Sequence, residues 1–327
     1  MGSQSARATI KSGTNDVCLL PPDATTTKDL TTVDKMSVYI PAFNSAEFLS
    51  RAIDGLLAQT LPADEILVID DGSSDATAEI AARYPGVTLV RHPYNRGLGA
   101  ARNTGFSTAR NELVASLDAD CAPDPRWLAG LVRHFDDPKV AGVGGRLIEG
   151  NQRTIPDRWR RAHMAQEWGD QPLHNPRFLF GCNNMLRKSA VREAGGYDES
   201  MRTNGEDTDI SRRLRDKGWD LLYDPEPLVL HLRHDTARSI LDTYWRWWRF
   251  GVRAYANGVR LRSVLGHALF VHFRHTFLDL VRSDLNARRF DLLGLDLAAL
   301  VYFPYRDFRL WLVADPKSAS RQISSEV

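Results

Sequence analysis

The chain has 327 residues, of which 43% are hydrophobic and 25% are charged, and its formal net charge is +1. This length allows one large domain or two ordinary ones, and the composition is normal for a soluble globular protein. The three cysteines lie far apart without CxxC spacing, so neither a disulfide framework nor a cysteine zinc site is indicated. Residues 17–20 are too short for the core of a signal peptide, and no apolar run reaches the ~18 residues of a membrane-spanning helix.

The first 35 residues differ from the rest of the chain. They are rich in Ser, Thr, Asp and Lys and have no apolar period, so we expect residues 1–35 to form a mobile tail. Downstream, apolar strand patterns alternate with helical patterns, which predicts an α/β fold with a doubly wound, mainly parallel sheet. Residues 65–69 are mostly apolar without a polar alternation, as is typical of a strand buried on both faces.

Local patterns predict where some of the elements begin and end. Asn44 is expected to cap the first helix, with Glu47 completing a capping box. The apolar side chains from Trp159 to Trp168 predict one amphipathic helix that packs into the core. Residues 221–231 are expected to form two short strands.

Two carboxylates end the apolar run of residues 113–117. One alanine separates Asp118 from Asp120, so on an extended backbone both side chains point to the same side. Open α/β sheets bind ligands at the carboxyl ends of their strands. Two oxygen ligands there suit Mg²⁺ or Mn²⁺ carrying a diphosphate. The alternative is a strand that ends in a solvated acidic turn.

Other polar residues end neighbouring strands. Pro41 ends the first predicted strand, and Asp70 and Asp71 end the second. Right-handed crossovers bring these ends to the same edge as Asp118 and Asp120. A carboxylate at this edge can accept a hydrogen bond from the base or ribose of a nucleotide. The alternative for residues 70–73 is turn chemistry with a helix cap, and the choice between Asp70 and Asp71 stays open.

Five motifs follow one another along the chain. They are Val-Tyr-Ile-Pro-Ala-Phe-Asn at 38–44, Val-Ile-Asp-Asp-Gly-Ser-Ser-Asp at 68–75, Asn-Arg-Gly-Leu-Gly-Ala-Ala-Arg-Asn at 95–103, Asp-Ala-Asp at 118–120 and Gly-Glu-Asp-Thr-Asp at 205–209. In this order and at these spacings, they resemble the motifs of inverting family 2 glycosyltransferases with the GT-A fold. The resemblance extends over residues 35–231.

The resemblance implies an enzyme that faces the cytoplasm and moves one sugar from a nucleotide-diphosphate sugar to an acceptor hydroxyl. The residues that it places at the donor are Pro41, Phe43, Glu47, Asp70, Asp71, Arg102 and Asp118. It makes Asp120 a direct ligand of Mg²⁺ or Mn²⁺ and His231 a further metal ligand, as in some related glycosyltransferases. It makes Asp207 the catalytic base, with Glu206 positioning the acceptor.

Each of these roles has a structural alternative. Arg102 can hold Asp118 in place instead of contacting the phosphates. Capping and the helix dipole explain one carboxylate at the start of a helix at residue 206, but not both Glu206 and Asp207. Inverting displacement needs a base near the acceptor hydroxyl, which favours a catalytic role for one of them. A lone histidine such as His231 is more often structural than a ligand.

The composition changes beyond Asp235. Residues 236–327 contain 14 Lys and Arg but 8 Asp and Glu, and aromatic residues alternate with arginines at 244–255. Charged residues interrupt the apolar runs at 264–281 and 290–303. This pattern predicts amphipathic helices that lie on an anionic membrane surface. The alternatives are a helical extension packed on the catalytic domain and a dimer interface. No nucleic-acid recognition motif accompanies the arginines.

One motif of the processive polysaccharide synthases is incomplete in this region. These enzymes of the resembling family carry Gln-x-x-Arg-Trp, whereas residues 243–247 read Thr-Tyr-Trp-Arg-Trp and lack the glutamine. With no spanning helix in the sequence, this favours addition of a single sugar over polymerisation.

These observations combine into one prediction. Residues 1–35 form the tail, 36–235 the GT-A catalytic domain, and 236–327 a basic, aromatic-rich helical extension. Within the catalytic domain, the nucleotide-sugar half is expected at 36–150 and the acceptor half at 151–235. The expected role is in cell-surface polysaccharide or glycolipid synthesis, on a saccharide or lipid-linked acceptor. The expected location is cytoplasmic, or peripheral on the cytoplasmic face of the membrane.

Two other functions are alternatives to a glycosyltransferase. A nucleotidyltransferase needs a glycine-rich loop with a lysine after its first strand, and residues 41–44 do not provide one. A non-catalytic homologue acting as a membrane-associated scaffold is the remaining alternative, and the retained carboxylates argue against it. The donor base, the sugar, the acceptor and the oligomeric state stay open.

Overall fold

The structure, a computed structural model, describes residues 35–251, 266 and 272–313, without the side chains of 248–251 and 310–313. The predicted tail, except Lys35, lies outside the described residues. So do parts of the predicted C-terminal extension, among them the aromatic residues at the end of the 244–255 cluster. Among the described helices, none is both long and apolar enough to cross a membrane.

The described residues belong to two compact units. The sheet unit contains residues 35–150 and 166–233, and the helical unit contains residues 151–165 and the described residues from 234 onward. The predicted acceptor half included 151–165, which belongs to the helical unit instead.

A nine-stranded sheet forms the centre of the sheet unit. Its strands are β1 (Met36–Ala42), β2 (Glu65–Asp70), β3 (Val87–Arg91), β4 (Leu113–Leu117), β5 (Cys121–Pro123), β6 (Val140–Glu149), β7 (Leu173–His174), β8 (Asn183–Arg187) and β9 (Asp220–His231). Their order is β3-β2-β1-β4-β8-β6-β9-β5, and β7 pairs with β9. The first four strands are parallel, while β8 is antiparallel to both β4 and β6. The predicted α/β class is confirmed, and the second half of the sheet is mixed.

Some helices surround this sheet, and other helices belong to the helical unit. They are α1 (Leu49–Leu57), α2 (Thr77–Ala82), α3 (Leu98–Thr108), α4 (Trp127–Val132), α5 (Ile155–His163), α6 (Lys188–Glu193), α7 (Glu206–Asp216) and α8 (Ala237–Gly251). All of these except α5 and α8 belong to the sheet unit.

The central strands are buried on both faces. Val38 and Ile40 of β1 belong to the same apolar cluster as Ile53 of α1. The intervening Tyr39 points to the opposite face, where its ring lies 5.5 Å from that of Phe106 in α3. This alternation is the two-residue period of a strand between two layers of helices. It explains why these strand sequences have no polar face.

The predicted capping box is wrong. Helix α1 begins at Leu49, after Phe48, and no side chain caps it. Asn44 has a φ of 48° and its Oδ1 accepts a hydrogen bond from the backbone N–H of Ser74 (2.9 Å). Asparagine tolerates the left-handed region and bonds to nearby backbone groups, so here it holds a loop instead of a helix terminus.

Two other local predictions also differ from the structure. The two short strands predicted within 221–231 are one strand, β9, because β6 pairs with it on both sides of its two prolines through a register shift between Gly144 and Arg146. Helix α5 ends at His163, so Trp168 lies outside it.

The helical unit has its own apolar core. Besides α5 and α8 it contains an α-helix at Phe273–His275, a π-helical segment at Thr276–Val281, and α-helices at Arg282–Asn286 and Leu293–Val313. Trp159 of α5 lies in this core, with its ring 5.0 Å from that of Tyr244 in α8. The expectation that Trp159 packs in a core is therefore correct.

Candidate active site

Strand pairing brings Asp120 and His231 together. Strand β5 begins one residue after Asp120 and is antiparallel to β9, with Cys121 opposite His231. The backbone N–H of Leu232 donates to the Asp120 carbonyl oxygen (2.8 Å). Asp120 Oδ2 lies 3.3 Å from His231 Nε2. Two residues separated by 111 positions in sequence therefore face each other.

Glu149 holds the other side of the His231 ring. It ends β6 and pairs in register with His231 on the parallel strand β9. Its Oε2 lies 2.7 Å from His231 Nδ1. Burial lowers the pKa of His231, but Asp120 and Glu149 outweigh this effect and raise it to about 10. Glu149 was not predicted from the sequence, although a carboxylate that directly follows the mostly apolar residues 140–148 was a usable signal.

This pair of side chains suits a divalent cation. Adjacent ligands of an octahedral Mg²⁺-sized ion lie about 3 Å apart, close to the distance between Asp120 Oδ2 and His231 Nε2. Glu149 fixes the imidazole through Nδ1, as outer partners of metal-bound histidines do. The Asp120 side chain is 27% exposed, so solvent and ligands reach this position.

Arg102 is a buried hub beside the pair. Its guanidinium donates to Glu206 Oε1 (3.0 Å), Ser116 Oγ (2.7 Å) and the Gly181 carbonyl oxygen (3.0 Å). It also lies 3.4 Å from Asp118 Oδ1. The Arg102 side chain is only 2% exposed. Arg102 therefore contacts Asp118, and a part for Arg102 in binding the phosphates stays a prediction.

Glu206 and Asp207 begin helix α7. Gly205 precedes them with a φ of 89°, a conformation that glycine adopts without strain. Asp207 Oδ2 accepts from the backbone N–H of Gly181 (3.2 Å), and its Oδ1 accepts from that of Thr208 (2.7 Å). The predicted helix start at Glu206 is confirmed.

Burial shifts the protonation of both carboxyls. Burial and the charge of Asp207 raise the pKa of Glu206 to about 7, although Arg102 lowers it. Burial also raises the pKa of Asp207, against the effects of Arg102 and of the hydrogen bonds from Gly181 and Thr208. Asp207 is partly exposed, whereas Glu206 is buried against Arg102. Asp207 is thus the carboxylate of the pair that meets solvent.

The next carboxylate of this helix has a different environment. Asp209 forms ion pairs with Arg212 (2.9 Å) and Arg213 (2.6 Å). Asp209 is thus paired along its own helix. Its pKa is lowered because these hydrogen bonds and charges outweigh burial.

Asp70 and Asp71 hold the loops at the adjacent strand ends. Asp70 Oδ1 accepts from the Ser73 N–H (3.0 Å), and its Oδ2 pairs with Arg91 Nε (2.9 Å). Asp71 accepts from the backbone N–H groups of Arg96 (2.8 Å) and Gly97 (2.7 Å). It also lies 2.6 Å from His92 Nδ1. Both carboxylates are buried, and a direct part for either in donor binding stays a prediction.

The remaining predicted donor residues lie at the end of β1 or follow it. Pro41 is buried within the strand, Phe43 is partly exposed and Glu47 is exposed. Pro41 was expected to end β1, but the strand continues to Ala42 beside β2. Strand β4 pairs only with residues 36–39 of β1, so Pro41 lies where its missing N–H interrupts no second ladder.

The structure therefore brings one set of predicted residues into a single cluster. The pKa of Asp118 reflects this proximity. Burial raises this pKa, the charges of Asp120 and Asp207 raise it further, and the charges of Arg102 and His231 lower it. The members of this acidic cluster are Arg102, Asp118, Asp120, Glu206, Asp207 and His231. One neutral member of its frame, Ser116, was not predicted from the sequence.

We expect Arg102→Met to destabilise the sheet unit by about 3 kcal/mol, because it leaves Glu206 buried without its cation. A matched control is Arg212→Met, which removes an exposed arginine that pairs with Asp209 and Asp216. That change is expected to cost less than about 1 kcal/mol. Denaturant unfolding of both variants measures the difference, and equal losses would contradict a stabilising role for the hub.

With this geometry established, comparison with known proteins identifies the family. Residues 37–195 match the family model described as glycosyl transferase family 2. This segment belongs to glycosyl transferase family 2. The resemblance to this family is thereby confirmed over residues that contain four of the five motifs, and the motif at 205–209 lies beyond them.

Curated relatives in family 2 cover part of the chain. The pre-mycofactocin glycosyltransferase of Mycobacterium tuberculosis is 33% identical over 221 residues, which are 64% of this chain and 44% of that protein. Glycosyltransferase AglE of Haloferax volcanii is 28% identical over 211 residues, 61% of this chain and 67% of that protein. The poly-β-1,6-N-acetyl-D-glucosamine synthase of Staphylococcus epidermidis is 28% identical over 224 residues, 66% of this chain and 54% of that protein. The match to the first of them thus spans less than half of its length.

Solved structures support the fold assignment. A mannosyltransferase from Pyrobaculum calidifontis, in complex with GDP-Man and Mn²⁺, matches with a TM-score of 0.55 at 19% identity and covers 86% of this chain and 84% of its own. GalNAc-T7 with UDP, GalNAc and Mn²⁺ matches with a TM-score of 0.51 at 21% identity, over 62% of this chain and 45% of that one. This family 2 chain therefore has the GT-A fold.

Proposed function

We propose that the protein is an inverting glycosyltransferase that transfers a single sugar, a hexose or hexose derivative, from a nucleotide-diphosphate sugar to an acceptor hydroxyl. The observation that carries this proposal is the acidic cluster. It combines a pair suited to a divalent ion, Asp120 and His231, with a partly exposed carboxylate at a helix start, Asp207. The names of the family 2 relatives support a role in cell-surface polysaccharide or glycolipid synthesis.

Asp120 and His231 would hold Mg²⁺ or Mn²⁺ at the diphosphate of the donor. The ion would neutralise the charge that develops on the diphosphate as the sugar–phosphate bond breaks. The titles of the two matched structures name Mn²⁺ together with a nucleotide or a nucleotide sugar, which supports this placement. Asp118, held by Arg102, would face the ribose or a water bound to the ion.

The donor nucleotide would lie along the edge formed by the ends of β1 and β2. Phe43 and Glu47 offer a partly exposed ring and an exposed carboxylate there, next to the buried Pro41. Asp70 and Asp71 shape this edge through the backbone groups that they bind. Whichever of them contacts the nucleotide would do so by exchanging one of these internal bonds.

Asp207 would act as the base. As a carboxylate, it would take the proton of the acceptor hydroxyl while that oxygen attacks the anomeric carbon on the face opposite the diphosphate. Glu206, fixed by Arg102, would position the acceptor and the start of α7. A saccharide or a lipid-linked saccharide supplies the hydroxyl that this chemistry needs.

A thermal-shift screen tests this function. Purified protein is heated with UDP-, GDP- and TDP-sugars, each with and without Mn²⁺, since a ligand that binds only the native state raises Tm. We expect one nucleotide class to raise Tm only when Mn²⁺ is present, and slow hydrolysis of the matching donor. A protein that binds no nucleotide sugar and hydrolyses none would instead support the alternative, a non-catalytic scaffold.

The pH dependence of turnover is expected to follow Asp207. A base works only when deprotonated, so kcat should fall as pH falls through a pKa above the usual aspartate value of about 3.9. Thr208→Val removes a hydroxyl that lies 3.3 Å from Asp207 Oδ1 and favours its charged form. This variant should move the acidic limb of kcat to higher pH, whereas Asp209→Asn should leave it in place. A shift to lower pH in Thr208→Val would contradict the assignment.

We also propose that the helical unit binds an anionic membrane surface. Exposed apolar side chains lie along one side of the helix Leu293–Val313, at intervals of four, four and three residues: Leu297 (55%), Val301 (74%), Tyr305 (53%) and Phe308 (43%). Two further exposed rings, Phe273 and Phe277, stack 5.8 Å apart. The net positive charge of residues 236–327 favours the anionic cytoplasmic leaflet.

Vesicle flotation tests this partner. We expect the protein to float with vesicles that contain an anionic lipid and to float less with purely zwitterionic ones. Replacing Leu297 and Val301 by serine should weaken binding about tenfold per side chain, from the loss of buried apolar area. Leu57→Ser is the control, because Leu57 in the sheet unit has the same 55% exposure as Leu297. Equal flotation of the double variant and the control would count against the proposal.

A further inference from the structure

A second group of possible metal ligands lies in the core of the helical unit. His163 ends α5, Asp284 lies in the helix Arg282–Asn286, and Asp296 lies near the start of the helix Leu293–Val313. Each offers one ligand atom, and these atoms all lie within 4.8 Å of one another. The Nε2 of His163 is 3.1 Å from Asp284 Oδ2 and 3.8 Å from Asp296 Oδ1. Three segments distant in sequence thus direct ligand atoms to one point.

The group is fully enclosed. The side chain of His163 is 4% exposed and those of Asp284 and Asp296 are 0% exposed. Two carboxylates removed from water are costly unless cations or donors compensate them. Because it is buried, this group differs from an ordinary acidic patch on a protein surface.

Neighbouring side chains hold one oxygen of each carboxylate. Arg289 Nε donates to Asp284 Oδ1 (2.8 Å), and Trp159 Nε1 donates to Asp296 Oδ1 (2.7 Å). This is how outer partners orient carboxylates that bind a metal. The second oxygen of Asp296, Oδ2, is buried and has no hydrogen-bond partner. A buried carboxylate oxygen without a hydrogen-bond partner indicates a missing partner at this group.

We propose that His163, Asp284 and Asp296 bind a structural Zn²⁺ ion that ties α5 to the two C-terminal helical segments. One imidazole and two carboxylates are ordinary zinc ligands. Adjacent ligands of a tetrahedral zinc lie about 3.4 Å apart, close to the 3.1 Å between His163 Nε2 and Asp284 Oδ2. The site is separate from Asp120 and His231, and it does not depend on the proposed function.

The competing occupant is a proton. Burial raises the pKa of Asp296 to about 6, with the charge of Asp284 adding to this effect, so the two carboxyls can share a proton. In that case no metal binds. Replacing Asp296 by asparagine would then relieve a buried charge and raise Tm.

Metal analysis of full-length variants distinguishes a bound zinc ion from a shared proton. Each protein is dialysed against buffer with Zn²⁺, then metal-free buffer, and its zinc content is measured by mass spectrometry. Compared with the wild type, we expect Asp296→Asn and His163→Gln to lose one equivalent. Asp279→Asn is the matched control, since Asp279 is a 63% exposed carboxylate of the neighbouring π-helical segment. Asp279→Asn should retain the zinc content of the wild type.

Asp120→Asn provides the second control. It should lose only zinc held at the acidic cluster, and added Zn²⁺ should still raise its Tm because this ion binds the folded helical unit. Added Zn²⁺ should not raise the Tm of Asp120→Asn combined with Asp296→Asn. Unchanged zinc content in both Asp296→Asn and His163→Gln would overturn the proposal, as would an Asp120→Asn protein whose Tm added Zn²⁺ does not raise. His163→Gln preserves a hydrogen bond to Asp284 and keeps the test informative if Asp296→Asn folds poorly.

Discussion

Asp207→Asn is expected to stop sugar transfer while leaving donor binding nearly unchanged. A positioned general base contributes about 10²–10⁴-fold to rate, so kcat should fall by at least two orders of magnitude. The asparagine keeps the shape of the side chain, and its oxygen can still accept from the Thr208 N–H. Because Asp207 lies outside the Asp120–His231 pair, the donor Kd should change little. Initial rates at saturating donor, together with calorimetric titration of donor, measure both quantities.

Asp209→Asn is the control for this experiment. Asp209 lies two residues further along α7, carries the same functional group and is paired with Arg212 and Arg213. It should transfer sugar at close to the wild-type rate. If Asp207→Asn retained wild-type turnover, the base assignment would be wrong even though the family membership would stand.

The second large effect is expected from Asp120→Asn, which should abolish the metal dependence of donor binding. The substitution removes the anionic oxygen that faces His231 and leaves the buried Glu149–His231 pair in place. In the wild type, Mn²⁺ should tighten the binding of the nucleotide sugar. In Asp120→Asn, the donor Kd should be weak and the same with Mn²⁺ as with a chelator.

Two further variants provide an intermediate effect and a control for this test. Glu149→Gln acts through His231 and should weaken Mn²⁺ affinity about 10–100-fold, as the loss of an outer partner does. Asp124→Asn changes a nearby carboxylate whose Oδ1 accepts from the Arg126 N–H (2.9 Å), and it should bind Mn²⁺ and donor normally. A metal-dependent donor Kd in Asp120→Asn equal to that of the wild type would rule out Asp120 as the ligand.

Much of the fold was predictable because strands buried on both faces leave a strong pattern. The apolar runs that became β1, β2 and β4 have no polar alternation, and the polar residues that end them mark one edge of the sheet. Boundaries that depend on other strands were not predictable. Pro41 lies within β1 and the two prolines of β9 lie within one strand, because pairing with β2 and β6 tolerates them.

The candidate site was predictable to the extent that its residues fall in motifs. Asp118, Asp120, Glu206 and Asp207 each end a strand or begin a helix, so their positions follow from local pattern. Glu149 and Ser116 lie in no motif, and they were missed. Their parts in the site come from contacts made between strands and loops far apart in the chain.

The sequence by itself determined the class of fold, the family and the carboxylates available for chemistry, because hydrophobic periodicity and strand-end motifs are local properties. Only the tertiary structure decided which side chains meet. The antiparallel register that sets Cys121 opposite His231 places Asp120 beside that histidine, and the parallel register of β6 adds Glu149. Packing also decided that Arg102 pairs with Glu206, leaving Asp207 as the partly exposed carboxylate. Such pairings depend on strand register and burial, which are set by residues far apart in the chain and cannot be predicted from a local pattern.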